Sequence, residues 1–340
     1  MIDIVFASDN GFVTQLLVSS ASAVYASRGL TSPLVVHVLD CGIEDSRWID
    51  YERHISDLAN RWHVDVKVVR HVVDMQQFLD MAAWTNGSRA TWARILLPQL
   101  LPYVSRCIYS DCDVFFVDSP EGVVKELEDS GKALLGHRNP FGDNSPDAVW
   151  HRQHGLQFCA NDYVCAGLVA LNLDWMRTHD IVNACWQFMR RFPNPVSVDQ
   201  TVLNYVCASN RGVLSNGWGV FTHECYQEGV RLKAIHFSGG WPWAKAKNAY
   251  DALCIRLSRS AVQIWHGFQT KVLGMDDFSR PKVAFVYQAE AFLILCICRA
   301  MILLGVKHPR LCCLLELIGA YSGSEQEIKK VKDEMFQSHV

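Results

Sequence analysis

The chain has no C-x-x-C and no paired-cysteine spacing of the zinc-ribbon kind, although it carries 13 cysteines. That argues against a structural zinc site. The odd count argues against a complete disulfide framework and for free, buried thiols in a reducing compartment. Positive charge is not in excess either: 32 Lys and Arg stand against 35 Asp and Glu, a formal net charge of −3. No basic patch interleaved with aromatics is evident, so nucleic acid is not an expected partner. Internal repeats and low-complexity tracts are also missing. The opening residues, MIDIVFASDNGF, lack a basic region and a long apolar stretch. Folded structure is therefore expected from Met1, with no signal peptide and no upstream anchor.

What remains is a chain of 340 residues, half of them apolar and a fifth charged, enough to bury a sizeable core. Short apolar β-branched runs alternate with amphipathic stretches. Ile2 to Ala7 reads as a strand, Phe12 to Ala26 as a helix, Pro33 to Leu39 as a strand, residues 44–62 as a helix and Val64 to Val69 as a strand. Such alternation predicts an α/β fold with a mostly parallel sheet. Further on, residues 89–104 read as a helix, Cys107 to Tyr109 and Val114 to Val117 as extended, 136–161 as a long polar loop, Val164 to Leu173 as a strand and 174–192 as one helix. Another helix begins at 198, and Gly229 to Phe237 reads as strand then turn. The character changes after about residue 248, which divides the chain into a first domain over 1–248 and a helical region over 249–340.

Asp111-x-Asp113 follows an apolar strand. Two carboxylates at this spacing can approach one hard cation where the chain turns, and oxygen ligands suit Mn²⁺ or Mg²⁺. Spacing alone leaves a solvated turn open, but the flanking CIYS and VFFV place the pair inside an otherwise buried run. His236 ends another apolar strand and is followed by Gly239 and Gly240. A core histidine is one reading; the glycines, which let backbone approach a ligand closely, favour a site.

These blocks together resemble glycosyltransferase family 8, retaining enzymes with a GT-A fold. The resemblance rests on IVFASDNGF, TWARILLPQLLP, YSDCDVFFVD, AGLVALNL, VDQTVLN and HFSGGWPW, in that order, from about Ile2 to Trp243. It implies a Rossmann-like, mostly parallel sheet flanked by helices, with a C-terminal apolar appendage. It also implies a UDP-sugar donor, UDP-glucose or UDP-galactose, and a glycan or lipid-linked acceptor such as lipopolysaccharide core. By the same resemblance Ala7, Asp9 and Gly11 line the uridine pocket, with Phe12 stacked on the base. Ser88 and Arg94 lie near the donor, and Asp111, Asp113 and His236 hold the metal, with Cys112 between the carboxylates. Ala166 and Gly167 pass close to the sugar, Asp199 bonds its hydroxyls, and Gln200 sits on the face opposite the leaving group. No pair of catalytic carboxylates is identifiable, so the implied route is front-face attack with a diphosphate oxygen accepting the proton.

The chain departs from the family pattern in places. Cys165 replaces an Asn and Thr201 an Asp. Residues 137–147 offer no match to an Asp near the sugar. No Lys directly precedes Pro242-Trp243, leaving Lys245 or Lys247 to meet the diphosphate. These losses support a rival reading as a non-catalytic nucleotide-sugar-binding protein; the intact Asp111, Asp113 and His236 speak against it. Residues 291–306 and 311–318 are apolar, with Lys307, His308 and Arg310 between them. They fit an interfacial anchor on the cytoplasmic face of a membrane, and equally a buried helical pair.

Overall fold

The computed structural model describes residues 1–83, 87–139, 142–238, 241–243, 245–276, 285–304, 315 and 318–336. They form two compact units, Met1–Gly219 and Val220–Val340. Composition places a boundary at residue 248. Within the second unit, residues 220–236 are bonded to segments further along the chain: Thr222 and Tyr321 share a hydroxyl bond of 2.7 Å, Tyr226 Oη donates to Leu257 O at 3.1 Å, and Leu232 N donates to Glu327 Oε1 at 3.2 Å.

In the first unit β1 (Ile2–Ser8), α1 (Val13–Ala26), β2 (Leu34–Asp40), α2 (Asp45–Trp62) and β3 (Val66–Val72) follow one another, and the three strands pair in parallel. β2 is buried along its whole length, as expected of a strand covered on both faces. α2 buries Trp48, Tyr51, Ile55, Leu58 and Trp62, a 3–4 residue spacing that gives one apolar stripe. Each such side chain contributes about 1.5–3 kcal/mol on burial. β4 (Arg106–Ser110) joins the other edge of β1 in parallel and runs on to β5 (Val114–Phe116).

The remainder is α3 (Leu97–Leu100), α4 (Glu121–Ser130), β6 (Leu134–Arg138), α5 (Pro146–Gln153), β7 (Val164–Asn172), α6 (Leu173–Thr178), α7 (Ile181–Arg191), α8 (Val198–Val206) and β8 (Arg211–Val213). The sheet order is β3-β2-β1-β4-β7-β6-β8. β7 runs antiparallel to both neighbours, while β8 is parallel to β6. This is the mostly parallel α/β sheet expected from the sequence.

Three stretches differ in detail. Residues 89–104 are mainly a 3-10 helix, Ala90–Leu96, before α3. The helix expected over 174–192 is broken at Asp180, whose φ of 49° lies in the left-handed region. The polar stretch 136–161 contains α5. Ser145 caps it, with its Oγ accepting from Ala148 N at 3.0 Å, and Pro146 is pre-set for a first helical position.

The second unit holds β9 (Val220–Phe221) and β10 (Ala234–His236), paired in parallel. The helices α9 (Ala249–Leu257), α10 (Arg259–Gly267), α11 (Phe285–Leu303) and α12 (Gln326–Phe336) follow. Ala291, Leu295 and Cys298 of α11 are buried in one cluster with Ala252, Leu253 and Leu257 of α9. The opposite side of α11 exposes Phe292, Leu293 and Ile297.

Candidate active site

In an open α/β sheet the carboxyl ends of the parallel strands form a natural crevice. β1 delivers Asp9 there. The Asp9 carboxylate accepts from Gly11 N at 2.9 Å and from Ser88 Oγ at 2.8 Å, so three of the residues expected at the nucleotide are tied together. A side chain at Gly11 would put a Cβ 3.2 Å from that carboxylate. Ala7 is buried on β1, and Phe12 is half-buried at the start of α1.

β4 delivers Asp111. Its backbone N–H donates to Gly167 O at 2.7 Å, and Val114 N returns to Asp111 O at 3.2 Å, closing a turn. Asp111 and Asp113 are both partly exposed, with one carboxylate oxygen of each within 4.8 Å of the other. Cys112 between them points inward, 6 % exposed, its Sγ donating to Ala7 O at 3.3 Å. Burial, then the two neighbouring aspartates, push its thiol well above the usual range, so it stays protonated. The turn is held from below by α1. Ser19 Oγ donates to Val114 O at 2.5 Å, and Ser22 Oγ accepts from Phe116 N at 2.9 Å. These buried serines look out of place in an apolar helix until their partners are seen.

Arg94 is the centre of the crevice, only 2 % exposed. Its guanidinium pairs with Asp111 Oδ1 at 2.6 Å and Asp199 Oδ2 at 2.9 Å, donates to Ala166 O, and lies 4.0 Å above the Tyr109 ring. Burial opposes its charge, but Asp111 and Asp199 hold its pKa above the ordinary value. Asp199 is itself buried at 3 %. Burial pushes its carboxyl up to about 6 against the pull of Arg94, with Asp111 adding to the rise. Gln200 Oε1 accepts from Ala166 N at 3.1 Å. Thus Arg94, Asp111, Ala166, Gly167, Asp199 and Gln200 meet in one connected cluster. Tyr109, the platform under Arg94, is a residue that the motifs do not mark. Its position just ahead of Ser110-Asp111 on a buried strand was the available signal.

In the second unit His236 ends β10, 4 % exposed, with its ring 5.2 Å from that of Phe221. Lys245 and Lys247 are exposed. Gly239 and Gly240 lie outside the described residues. Asp111, Asp113 and His236 each offer one ligand atom, two carboxylate oxygens and an imidazole nitrogen. That donor set fits a divalent Mn²⁺ or Mg²⁺ ion.

A family model described as glycosyl transferase family 8 matches residues 3–247. No curated protein sequence matches. Among solved structures, a galactosyltransferase, LgtC, in complex with donor and acceptor sugar analogs is 20 % identical with a TM-score of 0.58, over 76 % of this chain and 96 % of that one. The bifunctional glycosyltransferase WbbM is 17 % identical with a TM-score of 0.57, over 72 % of this chain and 47 % of that one. The glycosyltransferase GlyE of Streptococcus pneumoniae TIGR4 is 16 % identical with a TM-score of 0.52, over 80 % and 64 %. At these identities the structures establish a shared fold, the GT-A arrangement.

Proposed function

Because this chain belongs to glycosyl transferase family 8 and is a glycosyltransferase, we propose that it moves a hexose from UDP-glucose or UDP-galactose to a glycan acceptor, with retention of anomeric configuration. The acceptor proposed is lipopolysaccharide core or another growing surface saccharide. The observation that carries the reading is Arg94, a buried cation joined to Asp111, Asp199 and the Ala166 carbonyl. Ionisable groups gathered and buried this way, at the carboxyl ends of parallel strands, are the mark of a functional site. The complex of LgtC with donor and acceptor sugar analogs supports a two-substrate reaction.

Asp111, Asp113 and His236 are proposed to hold a divalent ion, Mn²⁺ or Mg²⁺. Bound there, it would neutralise the leaving diphosphate. Asp9, Gly11 and Ser88 position the uridine, with Phe12 against the base. Asp199 and Gln200 orient the sugar beside Ala166 and Gly167, and Lys245 approaches the diphosphate. Gln200 is a poor nucleophile, so the acceptor hydroxyl is proposed to attack from the face of the departing diphosphate, whose oxygen takes the proton.

The protein is proposed to work at the cytoplasmic face of a membrane. The support is α11, which spans 19 residues, is long and apolar enough to cross a membrane, and is 17 % buried over its most apolar stretch. The deciding experiment is a panel of nucleotide sugars with and without Mn²⁺ and candidate acceptors, scoring UDP release and saccharide product. Acceptor-dependent product from a UDP-hexose supports the reading. Donor binding without turnover for any acceptor would favour a non-catalytic binding protein.

A further inference from the structure

Asp147 lies in the first turn of α5 and is 3 % exposed. Three hydroxyls converge on its carboxylate. Tyr163 Oη donates to Oδ1 at 2.5 Å, Thr201 Oγ1 donates to the same oxygen at 3.2 Å, and Ser197 Oγ donates to Oδ2 at 2.8 Å. Burial, then Asp147 itself, push the Tyr163 phenol well above its usual range, so the phenol keeps the proton it donates. Thr201 Oγ1 also accepts from Ser197 N at 3.1 Å. A buried carboxylate is tolerated when donors surround it in this way.

Ser197 and Thr201 bracket Val198, Asp199 and Gln200. Val198 has a φ of 42°, a left-handed backbone that a β-branched residue strongly disfavours. Such a conformation persists only where the surroundings over-determine it. The turn it creates places Asp199 Oδ2 2.9 Å from Arg94 Nε and lets Gln200 Oε1 accept from Ala166 N at 3.1 Å. On the far side Asn204 Nδ2 donates to Gln200 O at 2.9 Å and to Val164 O at 2.8 Å, tying α8 to β7. The near side of the turn has Asp147 as its anchor.

We propose that Asp147 is a positioning residue: its buried carboxylate grips Ser197 and Thr201 and holds the Val198 turn in the form that aims Asp199 at Arg94 and Gln200 at Ala166. Its carboxylate bonds Tyr163, Ser197 and Thr201 rather than Asp199, Arg94, Gln200 or Ala166, and it acts through the turn. The kinetic consequence rests on the sugar-transfer reading above, whereas the structural consequence does not.

Asp147→Asn keeps the shape but loses the charge and one acceptor oxygen. Amide hydrogen exchange over residues 197–204 should then rise by about tenfold or more while the rest of the unit keeps its protection. Turnover in Mn²⁺-dependent UDP release from UDP-glucose or UDP-galactose should fall by about tenfold or more, with the donor KM within about twofold, because the loss is one of alignment rather than of donor contact. Combining Asp147→Asn with Thr201→Asp returns a carboxylate to the same cluster from α8, and should restore both readouts in part. If Asp147→Asn does not fold, Ser197→Ala and Tyr163→Phe, each of which removes a single donor, should show the same pattern more weakly. Unchanged exchange at 197–204 in a folded variant overturns the proposal. So does exchange that rises across the whole unit with a lower Tm, or a KM change that accounts for the lost activity. A wild-type protein that uses neither donor would remove the sugar-transfer reading, and the exchange measurement would still decide the role of Asp147.

Discussion

The guanidinium of Arg94 meets the carboxylate of Asp199 at 2.9 Å, with the two side chains 2 % and 4 % exposed. Neither group could be buried alone without a large desolvation cost, so each is the condition for the other. Asp111 makes the third member of the set at 2.6 Å.

Removing the cation should therefore be severe. Arg94→Ala leaves Asp199 buried near Asp111 with no counter-charge, and breaking a buried pair this way costs about 3–5 kcal/mol. Urea unfolding should show a lower midpoint at unchanged slope. Arg94→Ala and Asp199→Ala combined should cost less than the sum of the two single changes. A shift below about 1 kcal/mol, in the range of an exposed pair, would show the pair to be inessential to the fold.

Asp199 should also leave a mark on the pH dependence of stability. Its carboxyl is raised from 3.8 to about 6 by burial, so the folded chain keeps a proton that the unfolded chain releases. The resulting stabilisation is fully present below about pH 3.8 and is lost as pH rises through about 6. Across that window wild-type stability should fall, relative to Asp199→Asn, by up to about 1.4 kcal/mol per pH unit. Denaturation midpoints of both proteins measured from pH 4 to 7 would reveal the difference; parallel curves would contradict the raised carboxyl.

The proposed metal site is best probed at Asp113, since Asp111 also serves Arg94. UDP with Mn²⁺ should raise the wild-type Tm in a concentration-dependent way, by mass action. Asp113→Ala and His236→Ala should fold normally and lose most of that shift, and a chelator should abolish it in the wild type. Equal stabilisation with and without Mn²⁺ would rule out the ion as part of donor binding.

Deleting α11 would test membrane association poorly, because Ala291, Leu295 and Cys298 pack with α9. Charges on the outward side are cleaner. Leu293→Glu with Ile297→Glu should weaken sedimentation with anionic lipid vesicles by about tenfold or more, given the cost of moving charge into an apolar layer. The Tm should hold, since those positions are 60 % and 50 % exposed. Undiminished vesicle binding would assign the membrane contact elsewhere.

The alternating layout of β1, α1, β2, α2 and β3 was legible because apolar periodicity reports it directly. The cluster of Arg94, Asp111, Ala166, Asp199 and Gln200 was legible only as separate motifs in family order. Its connections span residues far apart in the chain, and no local pattern encodes them. The break at Asp180 and the left-handed Val198 were invisible for a different reason: each is a single-residue backbone state imposed by tertiary contacts on an otherwise ordinary helical pattern. α5 was hidden inside a stretch rich in turn formers, where Ser145-Pro146 was in fact the start signal of a helix. Cys112 was read with the aspartates on either side of it, yet it turns inward, as a buried thiol does.

The spacing of Arg94 and Asp199 along the chain sets an order of assembly. A ribosome delivers Arg94 long before Asp199, together with the early strands β1 to β3 that would otherwise be ready to collapse. Until residue 199 has emerged, Asp111 is the one carboxylate of the set that the guanidinium can meet. The Arg94 cluster is therefore complete only once α8 has emerged, whereas the strand pairs of β1, β2 and β3 draw on residues made earlier. Closure of the cluster around Arg94 is then a late event, timed by the arrival of α8.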